Sequence, residues 1–184
     1  MNNKILLKIA KEAIEEELYG SRLDRDYYIK NYPSLQEKRA TFVTINERGS
    51  LRGCIGSLVA YRSLIDDLIE NAKSAAFKDP RFPPLTKEEY ENSKLDIEIS
   101  LLTQPKELKY SDIKDLKRKI RVGVDGVVLS IKGYRATFLP QVWEQLPTFE
   151  LFFAHLCQKA GLISNCLDYH PRIEVYQVEK IKDE

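Results

Sequence analysis

Ile5, Ile9, Ala13 and Leu18 fall near one face of a 3.6-residue repeat, with lysine and glutamate filling the other positions and Gly20 following. That spacing predicts an amphipathic helix from Asn3 to Tyr19. From Ser21 to Lys38 the chain is polar and aromatic without a sustained period, which predicts a connection lying across the surface. Arg39 to Ile45 is rich in β-branched residues and predicts a strand. Asn46-Glu47-Arg48-Gly49-Ser50 supplies turn chemistry, so Leu51 to Leu58 is expected to return as the second strand of a hairpin. Ser63 caps a predicted helix through Leu64, Leu68, Ala72, Ala75 and Ala76, with Asp66 at the capping-box distance. Pro80 ends it near Asp79, because proline removes a donor and disfavours helix at the residue before it. Pro83-Pro84 stiffens the next segment, and Thr86 with Glu89 repeats the capping-box spacing over a short helix to Asn92.

Leu95, Ile97, Ile99 and Leu101 alternate with Asp96, Glu98 and Ser100, the clearest strand pattern in the chain. A Gly123-to-Gly126 turn leads into a strand over Val127–Ile131, and Lys132-Gly133 turns it toward a partner at Tyr134–Leu139. Pro140 suits the first turn of a helix. Thr148 caps a helix from Phe149 to Ala160, closed by Gly161, and Arg172 to Val178 reads as a final strand. Helices and strands are mixed without regular alternation. The expected class is α+β, with a mixed or mainly antiparallel sheet flanked by helices.

Composition narrows the range of functions. The 184 residues carry 29 Lys+Arg against 28 Asp+Glu, a formal charge of +1, whereas proteins that live on nucleic acid or anionic membranes usually carry a cationic excess. Charged residues make up 31% and hydrophobic ones 43%, which fits a globular chain and not a disordered or rod-like one. At this length roughly 70% of the unfolded surface is buried on folding, enough for a substantial core. The cysteines Cys54, Cys157 and Cys166 are few, odd in number and spread apart, which does not read as a disulfide framework. Lys8, Lys11 and Glu12 interrupt the N-terminal apolar residues before a signal-peptide core forms. No apolar run approaches the roughly 20 residues that span a bilayer, so no membrane association and a cytoplasmic location are expected.

Leu51-Arg52-Gly53-Cys54-Ile55-Gly56 places two glycines, a thiol and a guanidinium in six residues. Glycine weakens a strand, so this pair implies a bend or a close approach of another group. A neighbouring cation raises a thiol's thiolate fraction, and strand alternation puts Arg52 and Cys54 on one face. Cys54 is therefore a candidate nucleophile with Arg52 as its electrostatic partner. The alternative is a small buried hydrophobe between two packing glycines.

The hexapeptide resembles the hallmark motif of the AMMECR-one domain family, also called AmmeMemoRadiSam system protein A. Similar blocks run through the chain: FVTI before the hexapeptide, Ala75 to Leu85 (AAFKDPRFPPL), and Leu95 to Leu102. Gly123 to Val127, Phe138 to Trp143 and Lys159 to Leu162 continue the series. The resemblance implies an α+β fold with a larger lobe, made of a sheet and flanking helices, joined to a smaller lobe. It places the hexapeptide near a cleft between them, within a single domain over 1–184. It also implies association with a MEMO-like protein and a radical SAM enzyme. It implies no particular reaction and no known cofactor.

Besides Arg52, Gly53, Cys54 and Gly56, the matching blocks contribute Asp79, Arg81, Glu98 and Asp125 as candidate site residues. Glu98 lies on the polar side of its strand, where it is a candidate orienting group or base, or a partner for Arg81. Asp79 before proline also suits a helix end or turn, and each carboxylate alone also fits a structural ion pair. A thiol, two arginines and a carboxylate together suit an anionic or carbonyl-bearing small molecule. A Cys–His hydrolase would need His155 or His170. Neither lies in a matching block, and His155 sits beside an apolar stripe where partial burial is expected. His155, Cys157, Cys166 and His170 do not have zinc-finger spacing. Lys114 to Arg121 is the most basic stretch and reads as solvated charge around a helix end, with nucleic-acid contact as the less economical account. The expected function is small-molecule binding or modification at Cys54. The alternative is a non-enzymatic adaptor for a protein or nucleic acid.

Overall fold

The amphipathic pattern at the start of the chain becomes helix α1 (Asn3–Tyr19), which buries Leu6, Ile9, Ala10, Ala13 and Ile14. A computed structural model describes residues 3–182. The segment expected to be a mere connection instead contains α2 (Arg25–Asn31) and a 3₁₀ turn at Pro33–Gln36. Seven residues are too few to show a helical period. Local chemistry holds them: the Asp24 side chain accepts the Tyr27 N–H, and the buried Tyr28 hydroxyl donates to Glu12 at 2.8 Å. The hairpin forms as β1 (Thr41–Glu47) and β2 (Ser50–Gly56). Its two-residue turn puts Arg48 at φ 49° and Gly49 at φ 82°, the left-handed pair that matches the twist of antiparallel strands.

Helix α3 (Leu64–Phe77) begins where the capping residue requires, with Ser63 accepting the Asp66 N–H. Helix α4 (Lys87–Asn92) is capped the same way by Thr86, and β3 (Leu95–Leu102) pairs antiparallel with β1. Helices α1 and α3 pack on each other and on these strands. Val43, Ile45, Ile97 and Ile99 are buried in the resulting core, while Thr44 and Glu98, one residue out of phase, sit on the opposite face.

A short β4 (Lys106–Glu107) and α5 (Ile113–Lys119) lead to β5 (Gly126–Ile131) and β6 (Tyr134–Phe138). After a 3₁₀ turn at Pro140–Glu144 come α6 (Phe149–Lys159), a second turn at Cys166–Tyr169 and β7 (Arg172–Tyr176). These strands form a four-stranded antiparallel sheet in the order β4-β7-β5-β6. Its core is aromatic: Trp143 stacks on Phe152 with centroids 3.6 Å apart, and Phe152 and Phe153 meet edge to face. Cys157 of α6 and Cys166 form a disulfide. A single bridge stands alongside the expected lack of a disulfide framework: odd number and wide spacing argue against several bridges, but not against one. Cys54 is free.

The last predicted strand is in fact two. β7 ends at Tyr176, and β8 (Val178–Lys182) joins the first sheet, giving the order β2-β1-β3-β8. Gln177 between them is diverted from strand pairing: its N–H donates to the Thr103 hydroxyl at 2.8 Å and its side-chain amide to Asp125 at 2.9 Å. The α+β class is as expected, with two separate four-stranded sheets in place of the single one anticipated. The chain folds as two compact units, one running through Leu102 and resuming at Glu179, the other Thr103–Val178. No helix among the described residues is long and apolar enough to cross a membrane.

Candidate functional site

Both hexapeptide glycines stand at close approaches. A Cβ on Gly53 would lie 2.1 Å from the carbonyl oxygen of Ala75, so β2 lies directly against the α3 backbone. A Cβ on Gly56 would lie 2.2 Å from the Phe42 ring, which spreads over the glycine from the neighbouring strand. Packing accounts for both.

Cys54 lies between them on an edge strand, where outward backbone groups have no strand partner. Its N–H donates to the Asp79 carboxylate at 2.9 Å, and its carbonyl accepts from the Arg81 guanidinium at 3.4 Å. Arg81 in turn donates its backbone N–H and Nε to one Asp79 oxygen, each at 3.0 Å, and Nη2 to the other at 2.8 Å. The proline between them keeps this turn short. The Asp79 side chain is 2% exposed and that of Arg81 54%, so a buried carboxylate holds a largely solvated cation beside the thiol-bearing residue. The Arg81 guanidinium, seconded by the Cys54 and Arg81 amides, holds the Asp79 carboxyl well below the usual carboxylate range, against the opposing effect of desolvation.

The Cys54 thiol is half-buried and accepts a hydrogen bond from the Thr44 hydroxyl at 3.3 Å. Register aligns Thr44 with Cys54 on one side and Glu98 on the other, so the three side chains form a row across β2, β1 and β3. Glu98 does not pair with Arg81, as the sequence allowed. It meets Lys180 of β8 at 3.3 Å, while Asp79 occupies Arg81.

Arg52 is also placed differently. The register between β1 and β2 shifts after Ile45, leaving Arg52 without a partner as a bulge, and the bulge breaks the alternation that would align Arg52 with Cys54. Its guanidinium forks onto Glu89 of α4, with Nε to one oxygen and Nη2 to the other at 2.9 Å, and also donates to the Pro83 carbonyl at 2.9 Å. With 9% exposure and an ion-pair partner of its own, it ties β2 to α4. The Phe82 ring lies beneath both guanidinium groups, 5.8 Å from Arg52 and 5.5 Å from Arg81.

Asp125 belongs to the second unit. Its carboxylate accepts the Arg121 backbone N–H and side chain and the Gln177 amide, and its carbonyl accepts the Trp143 indole N–H. These bonds fix the turn before β5. The basic stretch is largely neutralised locally: Lys117 pairs with Glu150, Arg118 and Lys119 with Asp115, and Arg121 with Asp125. His155 is exposed on α6 instead of partly buried, and His170 stacks on Tyr110 at 4.3 Å. The disulfide occupies both sulfurs a zinc site at that end would use, and no group of three or more His, Cys, Asp or Glu able to hold a metal is found among the described residues.

A buried polar cluster escaped the sequence reading. Asp67 accepts the Thr41 N–H and hydroxyl and the Ser57 hydroxyl, each at 2.7 Å, the Arg62 guanidinium at 2.8 Å and the Asn71 amide at 2.9 Å. The available signal was a polar pair four residues apart, Asp67 and Asn71, on the helix that carries Leu64, Leu68 and Ala72.

The AMMECR1 family model matches residues 7–181. A protein of Methanothermobacter thermautotrophicus is 41% identical over 182 residues, covering 96% of this chain and 90% of its own. A protein of Methanocaldococcus jannaschii is 40% identical over 164 residues, covering 85% and 77%. The crystal structure of uncharacterized protein PH0010 from Pyrococcus horikoshii superposes with a TM-score of 0.75 at 35% identity, over 99% of this chain and 91% of that one. The chain belongs to the AMMECR1 family.

Proposed function

We propose that this protein captures a small carbonyl compound bearing an anionic group at Cys54, with Arg81 as the cation that receives the anion. The observation that carries it is the bracketing of Cys54 by the Asp79–Arg81 pair, which fixes the backbone of the residue and leaves an exposed guanidinium beside a half-buried thiol. A carboxylate or phosphate on the ligand suits the planar guanidinium. In the covalent step a sulfur lone pair forms the C–S bond, the carbonyl π pair moves to oxygen, and the thiol proton ends on that oxygen. Thr44 donates to the sulfur and orients it. Glu98 stands one strand further along the row, where with Lys180 it would set the polarity beside the ligand.

The test is alkylation of the native chain by iodoacetamide, followed by intact mass, with Cys54→Ser as the blank. Native Cys54 is expected to react faster than the same residue in urea, and Arg81→Ala to slow the native rate severalfold. A native rate no faster than the unfolded one defeats the proposal.

A further inference from the structure

Strand β2 is fastened to the chain that follows α3 from two nearby residues, Arg52 and Cys54. At Cys54, Asp79 takes the backbone N–H and Arg81 reaches the carbonyl. At Arg52, the guanidinium forks onto Glu89 and donates to the Pro83 carbonyl. Phe82 stands between the attachment points in sequence, and its ring faces the Arg52 guanidinium at 5.8 Å and that of Arg81 at 5.5 Å.

The two arginines are held very differently. Arg52 and Glu89 have side chains only 9% and 22% exposed, and Arg52 commits Nε and both Nη2 hydrogens to named acceptors. A buried guanidinium fixed by that many bonds has one place to be. The Arg81 side chain is 54% exposed, and a long exposed side chain keeps its place only if its surroundings offset about 2 kcal/mol of rotamer entropy. Asp79 grips it from one side and the Phe82 ring flanks it. Pro80, Pro83 and Pro84 stiffen the segment, so where Arg52 holds the Pro83 carbonyl determines where Phe82 and Arg81 stand.

We infer that Arg52 is a positioning residue for the Cys54 site: through Pro83, Glu89 and the Phe82 ring it holds Arg81 beside Cys54. The bulge that takes Arg52 out of line with Cys54 is then what lets it reach this segment. The inference rests on the reading of Arg81 as the cation that receives an anion at Cys54.

The probes are iodoacetate and iodoacetamide, which differ in charge, applied separately to the native full chain with intact mass as the readout. A change in the burial of the thiol moves both rates together, whereas the ratio of the iodoacetate rate to the iodoacetamide rate reports how well Arg81 receives an anion. Arg81→Ala should lower that ratio about fivefold, the worth of an exposed ion pair. Arg52→Met should lower it about two- to fivefold, but loss of its own charge acts in the same direction. Glu89→Ala separates the two effects: removing a negative charge would raise the ratio through space, whereas loosening Arg52 lowers it. Phe82→Ala changes no charge and should also lower the ratio. Its half-buried ring makes it the variant to rely on where neither charge variant folds.

An unchanged ratio in Arg81→Ala defeats the reading of Arg81 and this inference with it. A ratio that falls in Arg81→Ala but stays at the wild-type value in folded Glu89→Ala or in Phe82→Ala overturns the positioning role alone. Tyr19→Phe removes a different tether of α4, the hydrogen bond to Glu91, and should keep the wild-type ratio. A fall equal to that of Glu89→Ala would assign the effect to the attachment of α4 in general and overturn the role of Arg52.

Discussion

The Asp79 carboxylate accepts the Cys54 backbone N–H at 2.9 Å, a bond that an adjacent strand would otherwise make. With Arg81 at the Cys54 carbonyl, a three-residue turn stands in for a neighbouring strand at the middle of an exposed edge. The edge is thereby closed to pairing with another chain.

Removing that charge should weaken the fold in a pH-dependent way. The carboxyl is held below its ordinary value of 3.8 by Arg81 and two amides, so the unfolded chain binds the proton more readily than the folded one. Its contribution is fully present above that ordinary value and is lost as pH falls through the lower folded one. Asp79→Asn is expected to cost about 2 kcal/mol near neutrality, the range for hydrogen bonds to charged groups. The gap between wild type and variant should close progressively below about pH 4, as urea denaturation across pH 2 to 7 would show. A gap that persists unchanged at the acid end contradicts the assignment.

Gly53→Ala places a methyl group 2.1 Å from a backbone oxygen of α3, where neither strand nor helix can yield without breaking pairing. A loss of about 3 kcal/mol or more is expected. Gly133→Ala serves as the control: its φ of +84° costs about 1 kcal/mol of backbone strain, but nothing lies within 4 Å of the new group. Thermal melts of the two variants should differ by several degrees. Similar melts would remove the close approach as the reason for that glycine.

The Cys157–Cys166 bridge spans a sequence separation of 9, and a loop of that size constrains the unfolded chain by about 2–3 kcal/mol in the chain-entropy account. Thiol titration of the denatured, unreduced chain should find Cys54 alone, and titration after reduction all three cysteines. The Cys157→Ser/Cys166→Ser double variant should unfold at correspondingly lower denaturant. Three titratable thiols before reduction would show that the bridge does not form in the purified protein.

The elements were legible wherever local chemistry and a long period agreed. Ser63, Thr86 and Thr148 each cap the helix they announce, and the alternation from Leu95 onward is a strand whose apolar side faces the helices. Helix α2 was illegible because seven residues held by a cap and a tyrosine hydroxyl carry no period. The division of 172–182 into strands of two different sheets depends on Gln177 finding side-chain partners distant in sequence, which no local pattern records. Of the candidate residues, Cys54, Asp79 and Arg81 stand together, and the pairings of the others were illegible. One extra residue in β2 turned Arg52 toward Glu89, and the preference of Asp79 for Arg81 left Glu98 to Lys180. The Thr86 cap shows the same limit. Glu89 supplies its backbone N–H to the cap as the spacing promised, but its side chain leaves the box for Arg52.

The first sheet takes its fourth strand from the far end of the chain, with the whole second unit encoded between β3 and β8. During synthesis the ribosome delivers β1, β2 and β3 and must then complete Thr103–Val178 before the strand that covers β3 emerges. Over that interval the nascent first unit carries an uncovered strand edge beside an apolar core, the state most exposed to misassembly with other chains. Maturation of the first unit is therefore timed by the elongation of the second.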